Sequence, residues 1–284
     1  MKAPNFSYVK PKDLVEVLAL LEQHGGSAMP LAGGQSLLAM LNLRLLTPDL
    51  LVDIGDLNEL KNVAVEQDTV RIGPLVRHVE LLRSPLIKQH LPLLSKAIAH
   101  VGHVAIRNRG TIGGSLANAD PAAELPACVV ALGGTLLLES RSGRREVVAS
   151  EFFKGLMETD LRPGELIVEV RLPKQSTTKR WGFSEISRRH GDFAVVGLVA
   201  LADIVEGQVS NADLVYFGCA DRPKQAMGVS AGLQGCRLPL SKIEWLPDAI
   251  QHDLTILDSP GWKAKTKLHI AAVLTKRLLH TMNA

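Results

Sequence analysis

Cysteine is scarce in this chain of 284 residues: Cys128, Cys219 and Cys236 lie far apart and form no C-x-x-C pair. Three scattered thiols cannot ligate an iron–sulfur cluster or a structural zinc within this chain, and they suit a reducing cytoplasm. Aromatic residues make up 4%, which argues against base-stacking platforms for single-stranded nucleic acid. The formal net charge is only +3, and the densest basic clusters are Arg188-Arg189-His190 and Arg144-Arg145. That is too little positive charge for a nucleic-acid surface. No apolar run approaches the roughly 20 residues of a membrane span, and the first residues carry no hydrophobic signal core. Metal-like spacing is also lacking around His78, His100 and His103, which read as structural or surface residues. With 46% hydrophobic and 21% charged residues, what remains is a globular chain long enough for two domains.

What the chain does have is two glycine pairs about eighty residues apart: Leu31-Ala32-Gly33-Gly34-Gln35-Ser36 and Thr111-Ile112-Gly113-Gly114-Ser115-Leu116. Each has an apolar lead-in and a small polar or amide-bearing residue behind it. Paired glycines allow φ > 0 and bring N–H groups close to a ligand with no Cβ in the way. Two such loops can converge on a pyrophosphate, because clustered N–H groups form an anion-binding concavity. Neither loop is a G-x-G-x-x-G dinucleotide fingerprint or a P-loop, and the P-loop lysine is missing. Nucleotide hydrolysis is therefore disfavoured. Gln35, Ser36, Thr111 and Ser115 are left as additional hydrogen-bonding groups.

Periodicity predicts an amphipathic helix over Pro11–His24, stopped by Gly25-Gly26. Short strands follow at 28–32 and 50–54, with a helix over 37–43 between them, giving a small α/β unit. A strand near Val70 leads into helical turns up to Ile98, and 100–110 reads as irregular. Asp120-Pro121 reads as a helix start, Asp120 as N-cap and Pro121 at the first helical position, continuing to Leu132. A hairpin is expected from 135–139 to 146–149, then a strand over 165–172. The polar stretch 174–179 divides the chain into domains of 1–175, with lobes of about 1–55 and 56–175, and 176–284. Strands at 195–204 and 213–218 and a basic amphipathic helix over 266–282, expected to pack, complete the pattern.

Three segments resemble the FAD-binding medium subunits of the molybdenum hydroxylases, the xanthine dehydrogenase and carbon monoxide dehydrogenase family. They are Pro30 to Leu38 running on to Arg44, Arg109 to Pro126, and Arg188-Arg189-His190-Gly191-Asp192-Phe193-Ala194, in the family's order. The resemblance implies an α+β fold. A two-lobed FAD-binding domain of the PCMH (vanillyl-alcohol oxidase-like) type would be followed by a smaller domain of antiparallel sheet and helices. It implies that Leu31, Ala32, Gly33, Gly34, Gln35, Ser36, Leu37 and Leu38 wrap the pyrophosphate from one side, and Thr111, Ile112, Gly113, Gly114 and Ser115 from the other. Asp120 joins the cofactor contacts, and Glu124 would hydrogen-bond the ribose or adenine end. Val101 and Ile167 would offer apolar surface, and Asp192 and Phe193 would lie near the isoalloxazine edge. Read without the family, Glu124 is a helix-dipole partner, Asp120 a cap and Phe193 a core aromatic. The family's frequent lysine before the Arg-Arg pair is replaced here by Ser184, Glu185 and Ile186, which bears on the flavin's electrostatics.

The implied function is electron transfer. A large subunit with molybdenum cofactor hydroxylates a substrate, and electrons pass through two [2Fe-2S] clusters of a small subunit to FAD on this chain, then to an external acceptor. The assembly would be a dimer of heterotrimers, in the cytoplasm, with no catalytic residue and no metal on this chain. Three dispersed cysteines exclude the additional [4Fe-4S] cluster of the benzoyl-coenzyme A reductase branch. Two other classes stay open at this point: a stand-alone FAD-dependent dehydrogenase or oxidase, and a nucleotide-binding module without redox chemistry.

Overall fold

The computed structural model describes residues 2–240 and 244–283. Its first layer is a three-stranded parallel sheet. Strand β1 (Ser7–Val9) and β2 (Ala28–Leu31) flank β3 (Leu50–Asp53), with helices α1 (Leu14–His24) and α2 (Leu37–Asn42) in the connections. Helix α1 begins three residues later than its periodicity predicts, because the Asp13 carboxylate caps it by accepting the Glu16 N–H at 2.9 Å. Gly25 at φ +53° ends it, and Val17, Leu18 and Leu21 form its buried stripe.

The second layer is a five-stranded antiparallel sheet in the order β4-β5-β10-β6-β7. Its strands are β4 (Val63–Glu66), β5 (Thr69–Ile72), β6 (Thr135–Ser140), β7 (Gly143–Val148) and β10 (Leu166–Pro173). Between β5 and β6 run six helices: α3 (His78–Arg83), α4 (Pro85–His90), α5 (Pro92–Ile98), α6 (Val104–Arg107), α7 (Ile112–Asn118) and α8 (Glu124–Ala131). A single turn α9 (Ala149–Phe152) and a minimal hairpin, β8 (Phe153–Gly155) with β9 (Glu158–Thr159), precede β10. Helix α8 is buried along its whole length, which puts it at the centre of the molecule.

The third layer is the antiparallel meander β11 (Arg180–Ser187), β12 (Ala194–Val205), β13 (Gln208–Phe217) and β14 (Lys224–Gln225), followed by α10 (Met227–Leu233), α11 (Leu246–Asp253) and α12 (Ala264–Met282). Strand β12 is buried from Ala194 to Ala202 because both of its faces are covered. Val199 and Leu201 join the core built on α5 and α8, whereas Leu198, Ala200 and Ala202 join the core under α12. That alternation is the period-two pleat of a strand. Helix α12 packs as expected, burying Ala271, Leu274, Leu278 and Leu279. The stretch 174–179 is extended yet tethered: the Lys174 N–H donates to Asp68 O and the Gln175 N–H to His90 O.

Candidate functional site

A cavity of about 720 Å³ opens where the three layers meet. That is toward the upper end of the roughly 300–1,000 Å³ typical of small-molecule sites. Ala32, Gly33, Gly34, Gln35, Ser36 and Leu37 line it from the first layer, and Val101, Thr111, Gly113, Gly114, Ser115, Asp120, Glu124 and Ile167 from the second. Asp192 and Phe193 enter from the loop before β12. Three predicted residues are off its wall. Leu31 and Leu38 close over Gly34, and Ile112 is fully buried in the core.

The first glycine pair leaves the carboxyl end of a parallel strand, where α/β sheets bind ligands. Gly34 takes φ +71°, and its carbonyl and that of Ser36 turn into α2 to accept the N–H groups of Leu38 and Met40. The N–H groups of Gly33, Gly34, Gln35, Ser36 and Leu37 find no acceptor among the described residues. The Gln35 amide folds back onto Gly33 O at 3.1 Å. Five successive free donors at the start of a helix form an anion cradle.

The second pair differs from the sequence reading. Thr111 to Asn118 is a helix start rather than an open loop, and neither Gly113 nor Gly114 has positive φ. Its donors are already satisfied: Ile112 N–H by Val76 O, Gly113 N–H by Pro74 O, Gly114 N–H by Thr111 Oγ1 and Ser115 N–H by Thr111 O. Close packing explains the glycines. A Cβ on Gly113 would sit 2.4 Å from Pro74 Cβ, and one on Gly33 2.3 Å from Arg109 O, where the two loops touch. The second pair therefore lends small surface and hydroxyls, not a set of N–H donors.

Asp120 is not the N-cap of α8. Its carboxylate accepts the Ala122 N–H at 2.9 Å in a turn, and the helix begins at Glu124 behind Ala123. Burial raises the pKa of Asp120. Glu124 is 4% exposed, and its carboxyl is pushed up to about 8 by burial and by the charges of Glu185 and Asp120. Phe193 is 62% exposed, which removes the core-aromatic reading and places it at the cavity mouth.

Sequence reasoning left three features out. His78 lines the cavity, fully packed, with both ring nitrogens lacking a partner among the described residues, and burial lowers its pKa to about 4. His100 pairs with Glu185, Nδ1 to Oε1 at 3.3 Å. A second cavity of about 40 Å³ beside Ala32 and Gly33 is lined by Lys61, Arg77 and Arg109, none of which pairs with a carboxylate among the described residues. These cations add positive potential beside the cradle. They are far apart in the chain, so no local pattern announces them. Among the described residues no cluster could hold a metal ion, and no helix is long and apolar enough to cross a membrane.

The free donors and the size of the cavity suit an anionic ligand as large as a dinucleotide, and comparison with known proteins gives the family. Residues 4–175 match the model described as the FAD binding domain in molybdopterin dehydrogenase, and residues 181–282 match the CO dehydrogenase flavoprotein C-terminal domain. The chain belongs to the FAD-binding flavoprotein subunits of the molybdenum hydroxylase family. It is 33% identical to the carbon monoxide dehydrogenase medium chain of Hydrogenophaga pseudoflava over 99% of this chain and 98% of that one. It is 39% identical to the caffeine dehydrogenase subunit beta of a Pseudomonas species over 78% of this chain and 76% of the relative. Among solved structures, carbon monoxide dehydrogenase from Hydrogenophaga pseudoflava superimposes with a TM-score of 0.93 at 34% identity, covering 98% of this chain and 97% of that one.

Proposed function

We propose that this chain holds FAD in the cavity between its two glycine pairs and serves as the electron-transfer subunit of a molybdenum-containing hydroxylase. The observation that carries the reading is the run of free N–H donors from Gly33 to Leu37 on the wall of a dinucleotide-sized cavity. Those donors would hold the pyrophosphate, with Lys61, Arg77 and Arg109 adding positive potential. Thr111 and Ser115 would bound it from the other side, and Val101 and Ile167 would contact the cofactor through apolar surface. Glu124, on the cavity wall, would hydrogen-bond the ribose or adenine end, and Asp192 and Phe193 would lie near the isoalloxazine edge.

Bound FAD supplies the redox chemistry, accepting electrons from the [2Fe-2S] clusters of a small subunit and passing them to an external acceptor. The protein's part is to bind, orient and shield. A large molybdenum-cofactor subunit would carry the organic chemistry, in a dimer of heterotrimers. We assign the cofactor lobes to the PCMH type, with domains of 1–175 (lobes about 1–55 and 56–175) and 176–284, in a reducing cytoplasm that suits three free thiols.

Purified chain should retain stoichiometric FAD, read from its visible absorbance, and Gly34→Val should lose it. A chain that neither retains nor takes up FAD overturns the reading. Substrate should reduce the flavin in the assembled complex and not in the chain alone; reduction by the chain alone would instead establish a stand-alone dehydrogenase or oxidase.

A further inference from the structure

We propose that Lys267 is a positioning residue for the cofactor cavity: from α12 it latches the turn between β13 and β14, and that turn holds three segments of the cavity wall in place. The inference rests on the reading that the cavity seats FAD. It names a side chain of the third layer, off the cavity wall, that sets how well the cofactor is held.

Lys267 is 3% exposed, and its amine has one hydrogen-bond acceptor among the described residues, Gly218 O at 3.2 Å. No carboxylate pairs with it among those residues. A buried charge without a carboxylate costs stability, and a methionine of similar length would fill the same space at lower cost. The amine is therefore explained by what it holds, not by what it adds to the core under α12.

What it holds is a junction. Gly218 follows β13 at φ +77°, and its N–H donates to Pro121 O at 2.7 Å. A Cβ on Gly218 would lie 2.5 Å from Ala194 O, so the turn also packs directly on the start of β12. Pro121 follows Asp120 on the cavity wall, and Ala194 follows Phe193 at the cavity mouth. Further along the turn, Arg222 donates to Lys154 O at 2.6 Å. Lys154 belongs to the β8–β9 hairpin, whose tip carries Met157 onto the cavity wall.

The third layer grips this turn at two adjacent carbonyls. Lys267 donates to Gly218 O, and the Leu257 N–H donates to Cys219 O at 2.9 Å. Without the amine, Gly218 O loses its side-chain donor, and a turn held by one fewer bond samples more conformations. That freedom reaches Asp120 and Phe193, because their chain neighbours Pro121 and Ala194 are bonded to Gly218 or packed on it. A less ordered wall binds more weakly, since the ligand must then order it.

Lys267→Met and Lys267→Arg in the full chain test the latch. In the FAD-free chain, Lys267→Met should speed hydrogen exchange at Gly218 and at Ala122, whose N–H donates to the Asp120 carboxylate. Exchange in α12 and β12 should stay as in wild type, and the unfolding midpoint should be at or above the wild-type value. The FAD dissociation constant, followed by flavin fluorescence on titration, should rise about ten-fold. Lys267→Arg keeps a donor for the same carbonyl and should return exchange and affinity to near wild type. Unchanged exchange at Gly218 and Ala122, an unchanged dissociation constant, or an unfolding midpoint that falls together with affinity in Lys267→Met overturns the proposal. A wild-type chain that takes up no FAD overturns the seat instead, while exchange at Gly218 and Ala122 still decides the latch.

Discussion

Gly33-Gly34 and Gly113-Gly114 sit in nearly the same local sequence, yet the first pair leaves five N–H groups free while the second has its donors satisfied by Val76, Pro74 and Thr111. The first follows the end of a parallel strand, where nothing continues the ladder. The second bridges antiparallel to Arg77 at Thr111 and is drawn into the second layer. Glycine thus serves conformation at Gly34 and close packing at Gly33 and Gly113. One motif is a binding device and the other chiefly a joint.

The largest effect that would break this comparison is Gly113→Val. Forcing a branched side chain against Pro74, 2.4 Å from the added Cβ, should destabilise the chain by roughly 3 kcal/mol, seen as a fall in the unfolding midpoint with or without FAD. A wild-type midpoint would return the second pair to a ligand role.

Acid should weaken the same joint. His78, packed against Gly110, has a folded-state pKa of about 4 against an ordinary 6.5. A depressed pKa contributes stability that is present above 6.5 and lost as pH falls through about 4, on the order of 3 kcal/mol in full. Denaturant unfolding of the FAD-free chain across that window should show the loss, and His78→Gln should flatten that component. Glu124 acts with the opposite sign: its raised pKa makes its contribution fade as pH rises through about 8.

Gly34→Ala sharpens the contrast. Its φ of +71° makes a Cβ cost about 1 kcal/mol, so unfolding should shift little while FAD retention, followed by absorbance, falls far more. The smallest effect is Thr111→Val, which removes the cap on Gly114 and should cost about 1 kcal/mol; Thr111→Ser should restore it. Equal losses of FAD and stability in the Gly34 and Thr111 variants would erase the distinction between the pairs.

Much of the fold was legible from local signals. The stripe Val17, Leu18, Leu21 and the stop at Gly25 predict α1, the 141–143 turn predicts the β6–β7 hairpin, and the terminal periodicity predicts α12. Strand β4 was missed because Val63 to Glu66 is short and only half-buried, and α6 because a single turn has no period to read. The cap at Asp120 was misplaced because Asp followed by Pro marks a turn as readily as a helix start. Most predicted site residues reach one cavity, since the motifs carry the contacts. His78 and His100 read as structural or surface residues because their neighbours in the fold are distant in the chain, and Glu185 reads only as a departure from the family's lysine.

By itself the sequence determined the class of ligand loop, the absence of a cysteine framework for clusters on this chain, and the family, because backbone chemistry and motif order are local properties. Tertiary structure alone decided which glycine pair keeps its donors free, which cations stand beside it, and that Glu124 is buried in the cavity wall. Those outcomes depend on which groups segments distant in the chain satisfy or repel, and hydrogen-bond competition and burial are settled only once the layers have packed.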